Sequence, residues 1–531
     1  MNHSKHALLK ELKVDEESQV SSLDILNYLL KTKRLSEDIV RVAVEKIPTS
    51  KPNPRLSQPK NPAVKQRTRH IALRIYYDGV NYNGLSQNLG QDTDNSIEKE
   101  LFQALKRAHL VDSRESCGYS RCGRTDKGVS AVGQVVALRL KSTIPEYATY
   151  DQEGAKPISN DDLPKNEFSK TKAWVYPRKK KKVDFSAPRV EKEIAEYSYS
   201  KILNNLLPVQ IQVLGWSPVS DEFSARFSAN ARTYRYFFAK RQMSLERIRE
   251  GVALLVGNHD FRNFCKMDVE KVYNFKRLIY AAKVVELENG ICYVQIHGQA
   301  FLWHQIRYIM GVLFMIGRGL EKPEIVTELL NVTKYPGKPS YQLAEDTPLV
   351  LHDCGFPNLK IGYSVSNLWT ITCELESEWE NLMLAANRIR NCVDSLRDVE
   401  VLKADVEDFA KTRAAERQKK LERVGKTYSG GDGNLDWDQP TDSSIVKWEE
   451  ALSWMDSKMG LIADPGALDT HIHIPLMSRS MGTTYEEKLE QLMLNDRKRK
   501  KYEEGVVKKR QNNEDGKKFY EHMAQQGGAG I

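Results

Sequence analysis

YSRCGRTDKGVSAVGQVV, Tyr119 to Val136, decides the reading of this chain. Its centre, Arg124-Thr125-Asp126-Lys127-Gly128, sets one carboxylate between cations on a glycine-bounded loop. Adjacent cations keep an aspartate ionised, and an ionised aspartate serves as nucleophile or base. Gly123 and Gly128 permit tight or left-handed turns, so a substrate can come close to the backbone. The plain alternative is an Asp–Arg pair that only pins a turn, since surface ion pairs are common and weak. The preceding Gly118 to Thr125 nearly spells a phosphate-binding loop, but Arg124 stands at the lysine position and the segment runs into a strand. A phosphate loop needs a helix N-terminus behind it, which argues against ATP or GTP. A zinc deaminase is disfavoured too, because no H-x-E with P-C-x-x-C occurs.

Upstream of this loop, Ile71, Leu73 and Ile75 alternate with Ala72, Arg74 and Tyr76 as in a strand. After the turn-rich DGVNYNG, Asn95 or Ser96 caps an amphipathic helix carrying Ile97, Leu101, Ala104 and Leu105 on one face. Downstream, Gln134 to Leu140 reads as a second strand. TYRYFFA from Thr233, ICYVQIHG from Ile291 and PLVLHDCGF from Pro348 read as further strands. WHQIRYIMGVLFMIGRG from Trp303 reads as a helix ended by Gly317 and Gly319.

These signals divide the chain. Residues 1–69 are a short helical extension followed by a basic linker; the linker stretch, 51–74, has four prolines and no acidic residue. Residues 70–230 and 231–360 show a loose two-half symmetry, the first half interrupted at 142–192 by a polar, flexible insertion with the run Lys179–Lys182. Residues 361–531 are a charged extension: a helical stretch over 374–424, a loop at 428–442, and a partly disordered tail with Arg497–Lys501.

Composition agrees. The 531 residues carry 80 Lys+Arg against 71 Asp+Glu, a net charge of +9 that matters only where it clusters. No apolar run approaches the ~20 residues of a membrane helix, and no signal or transit peptide is visible at the N-terminus. Seven cysteines without a C-x-x-C pair suit a reducing compartment and argue against a disulfide framework or a structural zinc.

The central motif resembles the signature of the TruA-type tRNA pseudouridine synthases. YNGL at Tyr82, ILNNLLPVQIQVLGW, FSARFSANARTYRYFF, GNHDFRNFCKMD, GQAFLWHQIRYIMG and PLVLHDC follow in the family's order. The match spans about 70–360 and is similar to the eukaryotic branch acting on positions 38 and 39 of the anticodon stem-loop. HIPLMSRSMGTTYEEKLE, around Arg479, resembles that branch's C-terminal extension. The resemblance implies an α+β pseudouridine synthase fold: two ferredoxin-like halves forming one continuous, mainly antiparallel sheet with a central active-site cleft. It implies an isomerase that needs no redox cofactor, nucleotide or metal, acts on tRNA as a homodimer without a membrane, and resides in nucleus and cytoplasm.

Roles follow residue by residue from that resemblance. Asp126 is the catalytic nucleophile. Arg124 takes the flipped nucleotide's place or contacts its phosphate, and Arg307 pairs with Asp126. Tyr234 stacks on the target uracil, a contact of about 1–3 kcal/mol, and Leu349 is either the apolar residue on the uracil's other side or a core leucine. Tyr236 serves packing, and Arg235 faces the opposite side of the sheet. Lys127 and Arg232 contribute RNA contacts. His304 shares a helical face with Arg307 and either touches RNA or is a core histidine. The rival readings are a member acting on other tRNA or mRNA positions, or an idle tRNA-binding protein, against which the intact Asp126, Arg124, Tyr234 and Arg307 set argues.

Overall fold

In the computed structural model the described residues are 67–87, 94–144, 170–175, 177–179, 182–184, 186–188, 190–423, 445–459 and 473–507. The expectations for residues 1–66 and for the loop at 428–442 lie outside them. Two units separate, Met1–Lys65 with Arg178–Val183, and Gln66–Pro177 with Asp184–Ile531. The described part of the first is an antiparallel ribbon of Arg178–Lys179 and Lys182–Val183.

The second unit is built on a nine-stranded sheet. Its strands are β1 (Thr68–Tyr77), β2 (Ser120–Arg121), β3 (Ser130–Lys141), β4 (Ile211–Pro218), β5 (Ala231–Ala239), β6 (Gly257–Asp260), β7 (Lys276–Glu286), β8 (Ile291–Gly298) and β9 (Leu349–Gly355). Their spatial order is β6-β7-β8-β5-β9-β3-β1-β4, with β2 paired to β3. Neighbours are antiparallel except at one seam, where β9 runs parallel to β3 through Val350–Ser130 and Leu351–Ala131. That seam lies at the first residue of β3, directly after the Asp126 loop.

Two hydrophobic cores flank the seam. One holds Ile71, Leu73, Ile75 and Tyr77 of β1 with Leu101 and Leu105 of α1 (Ile97–Arg107). Ser96 caps α1 by accepting from Lys99 N, as its sequence suggests. The other core holds Phe238, Val294 and Ile296 with Ile309, Leu313 and Ile316 of a second helix (Gln305–Gly317). Burying each such side chain contributes about 1.5–3 kcal/mol. Tyr234 on β5 packs against both cores.

Three differences from the sequence reading have physical causes. Strands β6 and β7 are not marked in the sequence, because β7 alternates weakly and is largely exposed. The insertion contains an ordered ribbon, Lys170–Val175 with Val190–Ala195, whose backbone pairing stands in for an apolar pattern. The C-terminal segment is no loose tail over 473–507. Leu476 is fully buried in the second core. Residues Tyr485–Met493 and Asp496–Tyr502, the latter spanning the basic run, are helices. Among the described residues no helix is long and apolar enough to cross a membrane.

Candidate active site

The Asp126 loop is held from behind. Tyr77 Oη and Thr125 Oγ1 are hydrogen-bonded at 2.8 Å, and Gln134 Nε2 donates to Gly123 O at 2.9 Å. Leu85 N donates to Thr125 O, and Gly128 N to Tyr82 O, both at 3.2 Å, so the YNGL segment backs the loop through its main chain. Gly84 and Gly128 both have positive φ, 100° and 78°. A Cβ on Gly84 would lie 2.7 Å from Thr125 O, and one on Gly128 2.8 Å from Asp346 Oδ1, so both need glycine for space as well as for conformation. Thr125 is buried while Arg124, Asp126 and Lys127 point outward.

The carboxylate of Asp126 meets two side chains from the other core. Trp303 Nε1 donates to Oδ1 at 3.2 Å, and His304 Nε2 stands 3.5 Å from Oδ2. Neither residue is in the helix that the sequence suggests. The helix begins at Gln305, and His304 is its N-cap in the left-handed region, φ 61°. So His304 does not share a helical face with Arg307. A non-glycine residue held there costs on the order of 1 kcal/mol or more, and its neighbours must hold it. Gln305 Oε1 accepts from Leu302 N at 2.8 Å, and Trp303 O accepts from Lys266 N at 3.0 Å. Burial lowers the imidazole pKa of His304; Asp126 opposes this, and the positive Arg307, Lys266 and Lys338 reinforce it.

Arg307 departs from its expected role. Its ion pair is with Asp346, 3.5 Å away, and its Nε donates to Ala344 O at 2.7 Å. The reason is the strap 342–346, which runs against the helix and places both acceptors beside Arg307. Ala344 N returns a bond to Arg307 O at 3.2 Å. Since Asp346 abuts Gly128, Arg307 reaches the Asp126 loop through the strap.

The other expected residues divide. Arg124 is exposed, and the structure gives it no ion pair with Asp126. Partial burial lowers its pKa, and the neighbouring cations Arg121 and Arg226 add to this. Lys127 is exposed beside it. Tyr234 stands edge-on to Phe301 with ring centres 5.2 Å apart, and burial raises its phenol pKa. Arg235 lies on the opposite face, stacked over Tyr293 and bonded to Gln295, while Tyr236 is buried and donates to Glu345 O. Arg232 is not free for RNA. Its guanidinium donates to the backbone oxygens of Ala229, Gln299, Cys122 and Arg226, clamping three loops. Leu349 is buried in the second core, where the strand register sets it opposite Tyr236; Leu351 is the residue across from Tyr234.

Sequence reading missed four contributors. Trp303 is a large aromatic left partly exposed at a helix start. Lys266 lies over its ring, 4.3 Å from the centroid. Asp346 carried no motif signal. Glu98 of α1 is fully buried and takes Arg121, Arg114 and Tyr119 onto one carboxylate. Burial opposes its charged form, but the hydrogen bonds from Arg114 and Arg121 outweigh this and hold its pKa below the usual value. Its place two residues after the N-cap Ser96 gives no hint of that role.

The C-terminal segment braces the residues just before the strap. Gly482 N donates to Lys338 O, Ser340 N to Ser480 O, and Arg479 to Ser340 O. Lys338 lies 3.4 Å from the centre of the Tyr308 ring, and burial pushes its ammonium pKa down to about 8.

The chain is similar to proteins already known. A family model described as tRNA pseudouridine synthase matches residues 252–357. The tRNA pseudouridine(38/39) synthase of Bos taurus is 39% identical over 343 residues, covering 62% of this chain and 64% of its own length. The protein of that name in Saccharomyces cerevisiae is 36% identical over 300 residues, 56% of this chain and 59% of its own. A probable tRNA pseudouridine synthase of Caenorhabditis elegans, tag-124, is 36% identical over 340 residues, 62% of this chain and 78% of its own. The chain thus spans 64–65% of the length of the mammalian relatives it matches. With most of the worm protein covered at that identity, the chain belongs to the tRNA pseudouridine synthase family.

Proposed function

We propose that this protein isomerises uridine to pseudouridine in tRNA, at positions 38 and 39 of the anticodon stem-loop. The observation that carries the reading is Asp126: a carboxylate raised on a loop that two glycines and four backing hydrogen bonds fix, open to solvent, and met across the seam by Trp303 and His304. The relatives named for positions 38/39 support the choice of site on the RNA.

Asp126 acts as the nucleophile or essential carboxylate in breaking the uracil–ribose bond, after which the base turns and rejoins the sugar through carbon 5. The target must leave its stack at a cost of a few kcal/mol. Exposed Arg124 is placed to offset part of that by stacking or by a phosphate contact, and Tyr234 offers its ring edge-on to Phe301 at the seam. Atoms balance without a redox partner, because the product is an isomer. We read the two cores as two ferredoxin-like halves, and the assembly as a homodimer in which both copies reach one tRNA.

The test is direct. Purified protein is incubated with unmodified tRNA and pseudouridine is mapped at single-base resolution. Modification at 38/39, lost by more than about a thousandfold in Asp126→Asn while tRNA binding holds, is the expected outcome. Unchanged modification in that variant overturns the nucleophile assignment, and modification elsewhere overturns the site.

A further inference from the structure

Phe227 is 81% exposed, the most exposed aromatic side chain among the described residues. It stands at the tip of Ser224-Ala225-Arg226-Phe227-Ser228, in the loop between β4 and β5. A single apolar side chain in water needs no explanation by itself. The setting of this one does, because its tip is firmly built. Ser228 N donates to Ser224 O at 2.8 Å, and Ser224 N to Ser228 Oγ at 3.2 Å. Ala225 is fully buried, and its N–H donates to Ser120 Oγ of β2 at 3.0 Å. The ring is thus held out to solvent on a loop whose base is pinned to the strand leading into the Asp126 loop.

One guanidinium fixes where that tip stands. Arg232 Nη2 donates at 3.1 Å both to Arg226 O and to Cys122 O, so one nitrogen ties the tip to a residue two before Arg124 and four before Asp126. Its Nη1 donates at 2.8 Å to Gln299 O, two residues before the Phe301 ring that meets Tyr234. The clamp that joins the Asp126 loop to the Tyr234 side therefore carries Phe227 as well. Arg226 sets its own guanidinium over the Phe227 ring, 5.3 Å from the centroid, and its charge is felt at exposed Arg124. One face of the ring is covered by a cation and the whole tip lies in a positive field.

An exposed aromatic among cations suits an unpaired nucleobase. Every base has a π-face to lay on such a ring, and the cations answer the phosphates on either side of it. A base inside a duplex has no free face to offer, so the ring needs a nucleotide outside the helix. The positions read above, 38 and 39, then select which one. Position 38 is the last nucleotide of the anticodon loop, and 39 is the first of the stem strand that follows. The neighbour on the 5′ side lies in the loop in both cases, 37 for one target and 38 for the other. The 3′ neighbour of 39 is paired. A single platform can serve both targets only on the 5′ side.

We propose that Phe227 is a specificity-determining residue, whose ring stacks on the unpaired base immediately 5′ of the target uridine through the face that Arg226 leaves free. The choice of nucleotide rests on the tRNA reading given above. Phe227 takes no part in the chemistry at Asp126; it holds the RNA so that the next base enters the site.

The test is a cycle of protein and RNA changes read by binding, with the full chain carrying Asp126→Asn so that no turnover intervenes. One tRNA transcript has its uridine at 38 and none at 39; a second has it at 39 and none at 38. Phe227→Ala is expected to raise Kd for both about tenfold, with unchanged far-UV circular dichroism, and Phe227→Trp to bind at least as well as the parent. An abasic nucleotide at 37 of the first transcript should cost the parent the same tenfold and cost Phe227→Ala nothing further. In the second transcript the coupled position moves to 38. With Asp126 intact, Phe227→Ala should raise KM while the single-turnover rate at saturating tRNA stays within about threefold. Protein and RNA effects that multiply independently overturn the proposal, as does a Phe227→Ala protein that binds like its parent. Coupling to the 3′ neighbour overturns the 5′ assignment. Coupling as expected in a protein that forms no pseudouridine leaves the proposal standing and defeats only the activity reading; modification at 38 and 39 without coupling does the reverse.

Discussion

The two sides of the seam hold their chemistry by different means. On the Asp126 side, glycines, main-chain bonds and the buried side chains of Tyr77 and Gln134 fix the loop, and a buried charge, Glu98, anchors the chain just before it. On the Trp303 side, the contacts that hold the site are made by side chains, most of them exposed or half-buried, on other side chains or single main-chain groups: Arg307 on Ala344 O and Asp346, Lys266 on the Trp303 ring, and Gln305 on Leu302 N–H. The first arrangement belongs to the fold and its damage should appear as lost stability. The second is specific to the site and its damage should appear as lost rate. That contrast can be broken by experiment.

The largest effect is expected at Glu98. Glu98→Gln leaves Arg114 and Arg121 around a neutral amide, and breaking a buried pair in this way costs about 3–5 kcal/mol. Urea unfolding of the two proteins measures it. The acid side sharpens the test. Because Glu98 has a lowered pKa in the folded state, the unfolded chain binds the extra proton, and its stabilisation is present above the usual carboxylate pKa and lost as pH falls through the folded value. Wild type should therefore lose stability on acidification faster than Glu98→Gln. Equal slopes would mean that the hub contributes no charge-dependent stability.

Next comes Arg307. Arg307→Met removes the ion pair to Asp346 and the bond to Ala344, loosening the strap that presses on Gly128. A fall in single-turnover pseudouridine formation of about a hundredfold, roughly 2.7 kcal/mol, is expected, with tRNA affinity within about threefold of wild type. Arg307→Lys keeps the charge without the fork and should fall between. Loss of affinity in place of rate would move Arg307 from the strap to the RNA.

The same division governs what the sequence reveals. The Asp126 loop is legible because its constraints are local: glycines at forced turns, a carboxylate between cations, a capped helix at Ser96. Strand alternation at β5 correctly separates Arg235 from the two tyrosines. The partners are illegible because they are set by tertiary register. Nothing in WHQIR says that the helix starts two residues late, that His304 turns left-handed, or that Asp346 lies nearer Arg307 than Asp126 does. Arg232 misleads in the same way, since a strand arginine in a basic motif suggests a phosphate contact, and only the fold shows four carbonyls around it. Leu349 is displaced by register: it lies across from Tyr236 in the second core, two residues from Leu351, which lies across from Tyr234.

Trp303 gives the smallest and most discriminating effect. Its indole N–H is one donor on a half-exposed carboxylate, and Lys266 keeps the ring in place from above. Trp303→Phe keeps an aromatic ring beneath Lys266 and removes the donor, so Asp126 gains rotational freedom while most of the aromatic surface stays. A single hydrogen bond to a charged group is worth about 1.5–3 kcal/mol when fully formed in the interior, and this one is partly solvated. The fall in the rate of the chemical step should therefore be nearer tenfold, about 1.4 kcal/mol, with KM for tRNA unchanged. Lys266→Met tests the same group from behind: it leaves the donor but frees the ring, and its rate should lie between wild type and Trp303→Phe. If Trp303→Phe instead raises KM at constant rate, the indole is a surface for the RNA and His304 alone steadies the carboxylate, which would make the two sides of the seam less different than their bonding suggests.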